Sequence, residues 1–488
     1  MEVPLPIART GLLLTAAAAL AVTGCASVPP DRGMANVRAL TAARGAVVPE
    51  TAHDAPDAPL AVAGRTLGAA EAVEIALTRN PRLRKGYAEL GFAAAEVYEA
   101  GRLSNPRLSL SVLDPSGAGA ASQVTVGIAQ NFTELLMLPA RGRIAAGEFE
   151  RARALVGANI LRLAAETEAA WYGLVAARQS LALREAILKA AEASATLSDR
   201  YHDAGNIPEL ALRLEQAAAA RARIDLLAAR DAEAAARETL AGLMGVTAAD
   251  GDWSVPDRLA LPSGTDAGLE TLKALAEANR LDLAAARKEV ELARAGADLT
   301  RRFRWLGEIE LGVERERDTD RSHLTGPTVS WAVPLFNRNE GGVLRARSRA
   351  EAAEAELRAL RVAADNQIER GWRTLANARE RIAAYRDGLL PAREQAVARM
   401  QERVNAMLDG PFELLRLKQQ EYEGWQGYVE AIRDYWQARA ELARLVGARL
   451  PDGPPETTPG AAPAPSPAIP EAASPDAPSA SPHDHHQH

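Results

Sequence analysis

The stretch Glu238-Thr239-Leu240-Ala241-Gly242-Leu243-Met244-Gly245 decides the fold, because it occurs a second time as Ala440-Glu441-Leu442-Ala443-Arg444-Leu445-Val446-Gly447. Each copy ends a helical run on glycine, the residue that most easily adopts the left-handed conformation past a helix end. Working outward, Trp171 answers Trp372, and Asn80-Pro81-Arg82-Leu83 answers Asn279-Arg280-Leu281. A period of about 200 residues marks a duplicated domain-sized unit rather than a short solenoid repeat. Both units run in the same order: long helix, two short alternating segments, very long helix, tight break, long helix.

In the first unit Thr66 precedes an apolar stripe at Leu67, Ala70, Val73, Ala76 and Leu77, with Glu71 and Glu74 in the opening turns, which predicts a helix start. The run reaches Gly101, and Pro81 predicts either a kink or a short restart. The period then changes to two. Leu108, Leu110 and Val112 alternate with Ser109 and Ser111, and Val124, Val126 and Ile128 alternate with Thr125, Gly127 and Ala129. In the second unit Ile309, Leu311 and Val313 alternate with Glu308, Glu310, Gly312 and Glu314. Val329, Trp331 and Val333 alternate with Thr328, Ser330 and Ala332. Each pair predicts a hairpin with one apolar face. Helical patterns follow from about Pro139 to Asp203 and from about Asn339 to Leu408, each roughly 100 Å long. They end at Ala204-Gly205-Asn206-Ile207-Pro208 and at Asp409-Gly410-Pro411, where the chain turns back as a helical hairpin.

The 488 residues carry one cysteine and a formal net charge of −7. No disulfide can form within the chain, and no concentrated basic patch suits nucleic acid. No Gly-rich phosphate loop, paired carboxylate, nucleophilic triad or zinc spacing stands out, so neither an enzyme nor a cofactor is expected. Residues 1–24 read as a secretory signal peptide with Arg9, an apolar core and the ending Val22-Thr23-Gly24 before Cys25. That ending is similar to a bacterial lipobox, which implies lipid attachment at Cys25; the alternative is an ordinary signal peptide with an incidental cysteine. No other run is apolar enough for a transmembrane helix, so a membrane crossing has to use strands.

The expected layout is an extended arm at 25–65, a first repeat at 66–250 with a β-hairpin at 107–132 and a helical hairpin at 139–245, and a linker at 251–268. A second repeat follows at 269–450, with a β-hairpin at 306–336 and a helical hairpin at 339–447. A disordered Pro-, Ala- and Ser-rich tail at 451–488 ends in His483, His485, His486 and His488. The fold class is mainly α with a small β part. Four strands are too few to close a barrel alone, since outer-membrane barrels need at least eight. Either several chains supply strands, or the hairpins are a small soluble sheet with one buried face.

The chain resembles the TolC family of outer-membrane efflux proteins over roughly residues 66–446. The resemblance rests on Ala76-Leu77 with Asn80-Pro81-Arg82-Leu83, on Ala100-Gly101-Arg102-Leu103-Ser104-Asn105-Pro106, on residues 201–205 followed by Ile207-Pro208-Glu209-Leu210, and on Val333-Pro334-Leu335-Phe336-Asn337-Arg338-Asn339-Glu340-Gly341. It implies a homotrimer with a twelve-stranded barrel in the outer membrane, continued by a helical barrel through the periplasm. It further implies an inner-membrane pump, of the RND type, and a periplasmic adaptor as partners. The overall pattern looks more like the heavy-metal branch than the drug branch. A drug or type I secretion conduit and a non-conducting periplasmic tether are the alternative functions.

The helical tips are the expected gate and adaptor-docking points: Asp203, Gly205, Asn206 and Pro208 in one unit, Asn405, Asp409, Gly410 and Pro411 in the other. A ring of aspartates there would favour cations, although Asp, Asn, Gly and Pro also serve any tight turn. Glu308, Glu310 and Glu314 share one strand face, expected to line the lumen, or to be merely solvated. The terminal histidines are candidate ligands for a divalent metal, since imidazole suits zinc, copper and nickel.

Overall fold

The computed structural model describes residues 31–49, 62–114, 121–262 and 264–451. The expected signal peptide, Cys25 and the four terminal histidines lie outside them. The first unit comprises α2 (Ala69–Arg79), α3 (Pro81–Ala100), β1 (Arg107–Leu113), β2 (Gln123–Asn131), α4 (Phe132–Asp203) and α5 (Glu209–Met244), preceded by α1 (Met34–Ala42). The second comprises α6 (Leu269–Asn279), α7 (Leu281–Phe303), β3 (Ile309–Arg317), β4 (His323–Trp331), α8 (Glu340–Ala383), a π-helical turn at Ala384–Leu389, α9 (Leu390–Asn405) and α10 (Pro411–Val446). Most residues are helical and the strands form a single small sheet.

At Pro81 the helix stops and restarts. Asn80 caps α3, its Oδ1 accepting the Arg82 N–H at 2.8 Å, and Pro81 takes the first helical position, where its missing N–H costs nothing. The same Asn80 donates Nδ2 to the Leu243 carbonyl at 2.8 Å, closing the first unit on itself. In the second unit Arg280 holds the same place: it occupies the N-cap position of α7 without a side-chain cap bond, and its Nη1 reaches the Leu445 carbonyl at 3.2 Å. The structural counterpart of Asn80 is therefore Arg280, one residue later than the Asn279 match read from the sequence. Gly245 and Gly447 sit beside these joints at φ 66° and 73°. A Cβ there would meet Arg79 and Arg280 backbone atoms at 3.0 Å, so both positions need glycine for conformation and for space.

The helix expected from about Pro139 begins at Phe132, directly out of β2, because Asn131 caps it through the Glu134 N–H at 3.0 Å. Pro139 lies inside the helix and forfeits one backbone bond without ending it. At 72 residues, α4 is about 110 Å long. The second long run is continuous through the π turn into α9. The arm expected to be extended contains α1, whose Met34, Val37 and Thr41 are buried and whose start is held by Asp31 Oδ2 accepting the Ala35 N–H at 2.9 Å. Its three inward positions make too short a stripe to stand out from flanking Pro and Ala.

The segment expected as a linker is packed into the molecule. Trp253, Val255 and Leu259 join the main core with Trp171, Tyr172, Trp425, Tyr428 and Tyr435. Trp171 donates Nε1 to the Leu67 carbonyl at 2.9 Å, and Trp436 stacks on Tyr172 with ring centres 5.0 Å apart. Asp266 accepts three bonds: from Arg379 Nε at 2.9 Å, from the Tyr435 hydroxyl at 2.9 Å and from Arg439 Nη1 at 3.3 Å. One carboxylate thus ties the inter-unit segment to α8 and α10.

Asp250 fastens the end of the first unit. It accepts Arg79 Nη1 at 2.5 Å and the Thr247 N–H at 2.8 Å. The Arg79 bond, then the Thr247 bond, hold its pKa down at about 2, below the ordinary 3.8. A depressed carboxylate stabilises the fold fully above the ordinary value, and the contribution is lost as pH falls through the folded value. Asp250→Asn is therefore expected to lower thermal stability at pH 7 and to converge with the native chain toward pH 2, in melts followed by circular dichroism. A pH-independent difference would exclude this ion pair as its source.

Candidate functional site

The sheet has strand order β1-β2-β3-β4, all antiparallel. The two expected hairpins are one sheet, joined by pairing between units, with Ile128 opposite Val313 and Thr125 opposite Glu316. Thr133 at the start of α4 reinforces the join: its Oγ1 accepts the Ile309 N–H at 2.9 Å and donates to the Gly307 carbonyl at 3.1 Å. Both outer strands, β1 and β4, keep an unpaired edge.

Register sorts the side chains into two faces. Leu108, Ile128 and Val313 lie opposite one another on one face, as do Leu110 and Val126 in the next row and Leu311 and Val329 in another. Among the described residues nothing covers this face: Leu108 is 77 % exposed, and Ile128 and Val313 are each 52 % exposed. A contiguous bare apolar sheet face marks an interaction with lipid or protein. Trp331 stands at the end of the sheet nearest the helices, its Nε1 bonded to the Leu306 carbonyl at 2.8 Å. The exposed Val333, Leu335 and Phe336 continue the apolar surface beyond it.

The opposite face carries Ser109, Ser111, Thr125, Gln123 and the glutamates of β3. Glu308 accepts Asn131 Nδ2 at 3.0 Å, and Glu310 pairs with Arg107 at 3.0 Å. Glu316, which the sequence reading missed, is bonded by Gln123. Among the described residues, Glu314 alone of these four carboxylates has neither hydrogen bond nor ion pair. The structure thus keeps the acidic face but divides it: three carboxylates are tied to neighbours, and one is free.

At the first tip α4 ends at Asp203 and Gly205 takes φ 75°. The Asn206 N–H bonds to the Tyr201 carbonyl at 2.8 Å, and Pro208 precedes α5 as its cap. At the second tip α9 ends at Asn405, which accepts Gln401 Nε2 at 2.9 Å. The left-handed position equivalent to Gly205 is filled by Met407 at φ 57°, whereas Gly410 caps the following helix and Pro411 begins it. The two breaks therefore differ, glycine taking the left-handed position in the first and methionine in the second, where the residue type leaves no signature. Met407 is 94 % exposed, with Leu408, Leu210 and Leu214 also bare. Tyr201 meets Phe412 edge to face at 5.7 Å, so the two tips lie side by side.

Asp409 is bonded to Arg403, and that bond holds its carboxyl below the ordinary range. Asp203 is exposed and has no ion pair among the described residues. The two aspartates grouped together from sequence are thus unlike: one is latched, one is open to solvent. Among the described residues no group of three or more His, Cys, Asp or Glu is arranged to hold a metal ion, and no helix is long and apolar enough to cross a membrane.

Paired long helical hairpins carrying a small sheet with one bare apolar face are the architecture of outer-membrane channel proteins. The sequence profile of the outer membrane efflux protein family matches twice, at residues 72–246 and 272–448, and the chain belongs to that family. It is 23% identical over 385 residues to the cobalt-zinc-cadmium resistance protein CzcC of Cupriavidus metallidurans, covering 77% of this chain and 89% of that one. In structure it is similar to a membrane protein from Pseudomonas aeruginosa, with a TM-score of 0.66 and 19% identity, covering 83% of this chain and 100% of that one. It is also similar to the outer membrane protein VceC from Vibrio cholerae, with a TM-score of 0.64 and 18% identity, covering 78% of this chain and 96% of that one. The chain is an outer-membrane efflux channel whose helices extend into the periplasm.

Proposed function

We propose that three copies join β4 of one chain to β1 of the next, closing a twelve-stranded barrel that passively conducts heavy-metal cations delivered by an inner-membrane pump of the RND type through a periplasmic adaptor. The carrying observation is the sheet itself. Its two open edges and uncovered apolar face are each unsatisfied in a single chain, and closure in lipid satisfies both. The long helices supply a periplasmic reach of about 100 Å. Cys25 is the proposed lipid attachment point. The tips, with the exposed Met407, Leu408, Leu210 and Leu214, are the proposed adaptor-docking surface, and Asp203, Gly205, Asn206, Pro208, Asn405, Asp409, Gly410 and Pro411 shape the gate.

Metal as cargo is supported by the resemblance to CzcC and by the acidic lumen-side face. Glu314, unpaired and repeated three times, is the carboxylate best placed to concentrate cations; Glu308 and Glu310 contribute less, being engaged by Asn131 and Arg107. Glu314→Gln is expected to reduce the cation-to-anion permeability ratio about twofold or more at low salt and to have little effect near 1 M, where the Debye length is about 3 Å. An unchanged ratio at low salt removes Glu314 from selectivity. His483, His485, His486 and His488 are proposed as a weak capture site for zinc, copper or nickel.

The test of cargo is the tolerance of a deletion strain to zinc, cobalt, nickel, copper and silver salts beside drugs and detergents. Metal sensitivity restored by the intact gene supports the reading. Sensitivity to drugs alone keeps the channel and replaces its cargo, and loss of an exported protein would assign a secretion conduit instead.

A further inference from the structure

The lipid-facing side of the sheet is not apolar to its far end. Along β3 the residues sharing the face of Leu311 and Val313 are Arg315 and Arg317. Opposite them on β4 stand Thr325 and His323, whereas on the other side Val126 with Leu110 and Val124 with Val112 stay apolar, so the cations occupy the β3–β4 half of the far end. Arg321 adds a further cation in the β3–β4 turn at φ 70°. No side-chain hydrogen bond or ion pair engages Arg315, Arg317 or Arg321 among the described residues. The acids adjacent in sequence face away or hold turn N–H groups. Glu314 and Glu316 lie on the other face, Asp318 accepts the Thr319 N–H at 2.6 Å, and Asp320 accepts the Ser322 N–H at 2.7 Å.

Position decides what these cations meet. Arg317 is at the opposite end of β3 from Ile309, which pairs with Trp331. At about 3.4 Å per residue that is roughly 27 Å along the strand, or about 20 Å along the membrane normal at a tilt near 40°. A guanidinium facing lipid is costly at the bilayer centre and nearly neutral at the interface, so Arg317 and the Arg321 turn lie at the level of the outer-leaflet headgroups, and Arg315, about 5 Å nearer the centre, reaches them along its aliphatic stem. The end near the helices carries aromatic Trp331 and Trp305 instead. The two rims of the apolar band are therefore chemically different.

We propose that Arg315, Arg317, Arg321 and His323 form a binding rim for phosphorylated lipid headgroups, with the acyl chains lying on Leu108, Ile128 and the rows below. The proposal rests on the reading that the bare face meets lipid. Guanidinium is suited to the task because its planar fork binds two phosphate oxygens at once, and it holds its charge at any relevant pH. An amphiphile with an anionic head satisfies a basic patch bordered by apolar side chains, Val126 and Leu110 beside it and Val313 and Ile128 below; a free anion satisfies only the patch.

The experiment compares full-length native protein with the double variant Arg315→Gln/Arg317→Gln, both purified as assembled oligomers. Bound lipid is titrated by native mass spectrometry with diphosphoryl lipid A or phosphatidylcholine, with inorganic phosphate as competitor. Flotation on phosphatidylcholine vesicles reports insertion separately. The expected result is normal flotation of both proteins and at least tenfold weaker lipid A retention by the variant. Phosphatidylcholine binding should be unchanged, and lipid A should resist displacement by millimolar phosphate. Equal lipid A retention by both proteins, with normal flotation, overturns the rim alone. Displacement by phosphate at millimolar concentration reassigns the arginines to a free-anion site and overturns the lipid assignment. Failure of the native protein to float overturns the lipid-facing reading and the rim with it.

Discussion

Ile128→Arg is expected to abolish assembly in the outer membrane. Ile128 is in the middle of the bare face, between Leu108 and Val313. An arginine facing lipid at the bilayer midplane costs about 2–4 kcal/mol, and threefold symmetry raises this to about 6–12 kcal/mol per trimer. Since folded domains are stable by only about 5–15 kcal/mol, the penalty is large enough to remove the assembled form. The informative control is Ser111→Arg, because Ser111 lies on the polar face opposite Thr125. Alternation means that an odd-numbered shift along the strand exchanges lipid for lumen. Heat-resistant trimers in outer-membrane fractions should disappear in the first variant and persist in the second. Trimers retained by both would show that the apolar face does not meet lipid.

Asp266→Ala is expected to have the second largest effect, and in the helical part. It would remove the carboxylate that the Arg379 and Arg439 guanidiniums and the Tyr435 hydroxyl now share. Side-chain exposure is 15% for Asp266 and Arg439 and 29% for Arg379. Removing one member of a fully buried ion pair costs about 3–5 kcal/mol; partial solvent access reduces this to about 2–3 kcal/mol. The helical melting midpoint should fall by roughly 5 °C or more. Asp266→Asn keeps an acceptor for Tyr435 and should lose less. Equal loss in the two variants would mean that hydrogen bonding contributes little beside the charge.

These two sites also show what the sequence made legible. The face of Ile128 was readable because period-two alternation is local, and duplication fixed its place in the order of elements. Pairing of β2 with β3 was not readable: it joins residues such as Thr125 and Glu316 across two units, and local periodicity carries no information about such partners. Asp266 lies in a Pro- and Gly-containing stretch that reads as a linker, and only the folded chain brings it to Arg379, Tyr435 and Arg439. At the tips, Gly205 announced its turn, whereas Met407 adopts the same conformation at a residue type that rarely does so. The different states of Asp203 and Asp409 depend on one neighbour, Arg403, and emerge only from side-chain geometry. Arg315 and Arg317 were present in the strand pattern but gained meaning only once register placed them above Val313.

The most direct test of the channel itself is single-channel recording of the purified, heat-resistant trimer in a planar lipid bilayer. Discrete, long-lived current steps with cation preference at low salt are predicted. Trimers that insert into the bilayer yet pass no current would contradict a conducting channel and assign the protein to a structural role between the envelope layers.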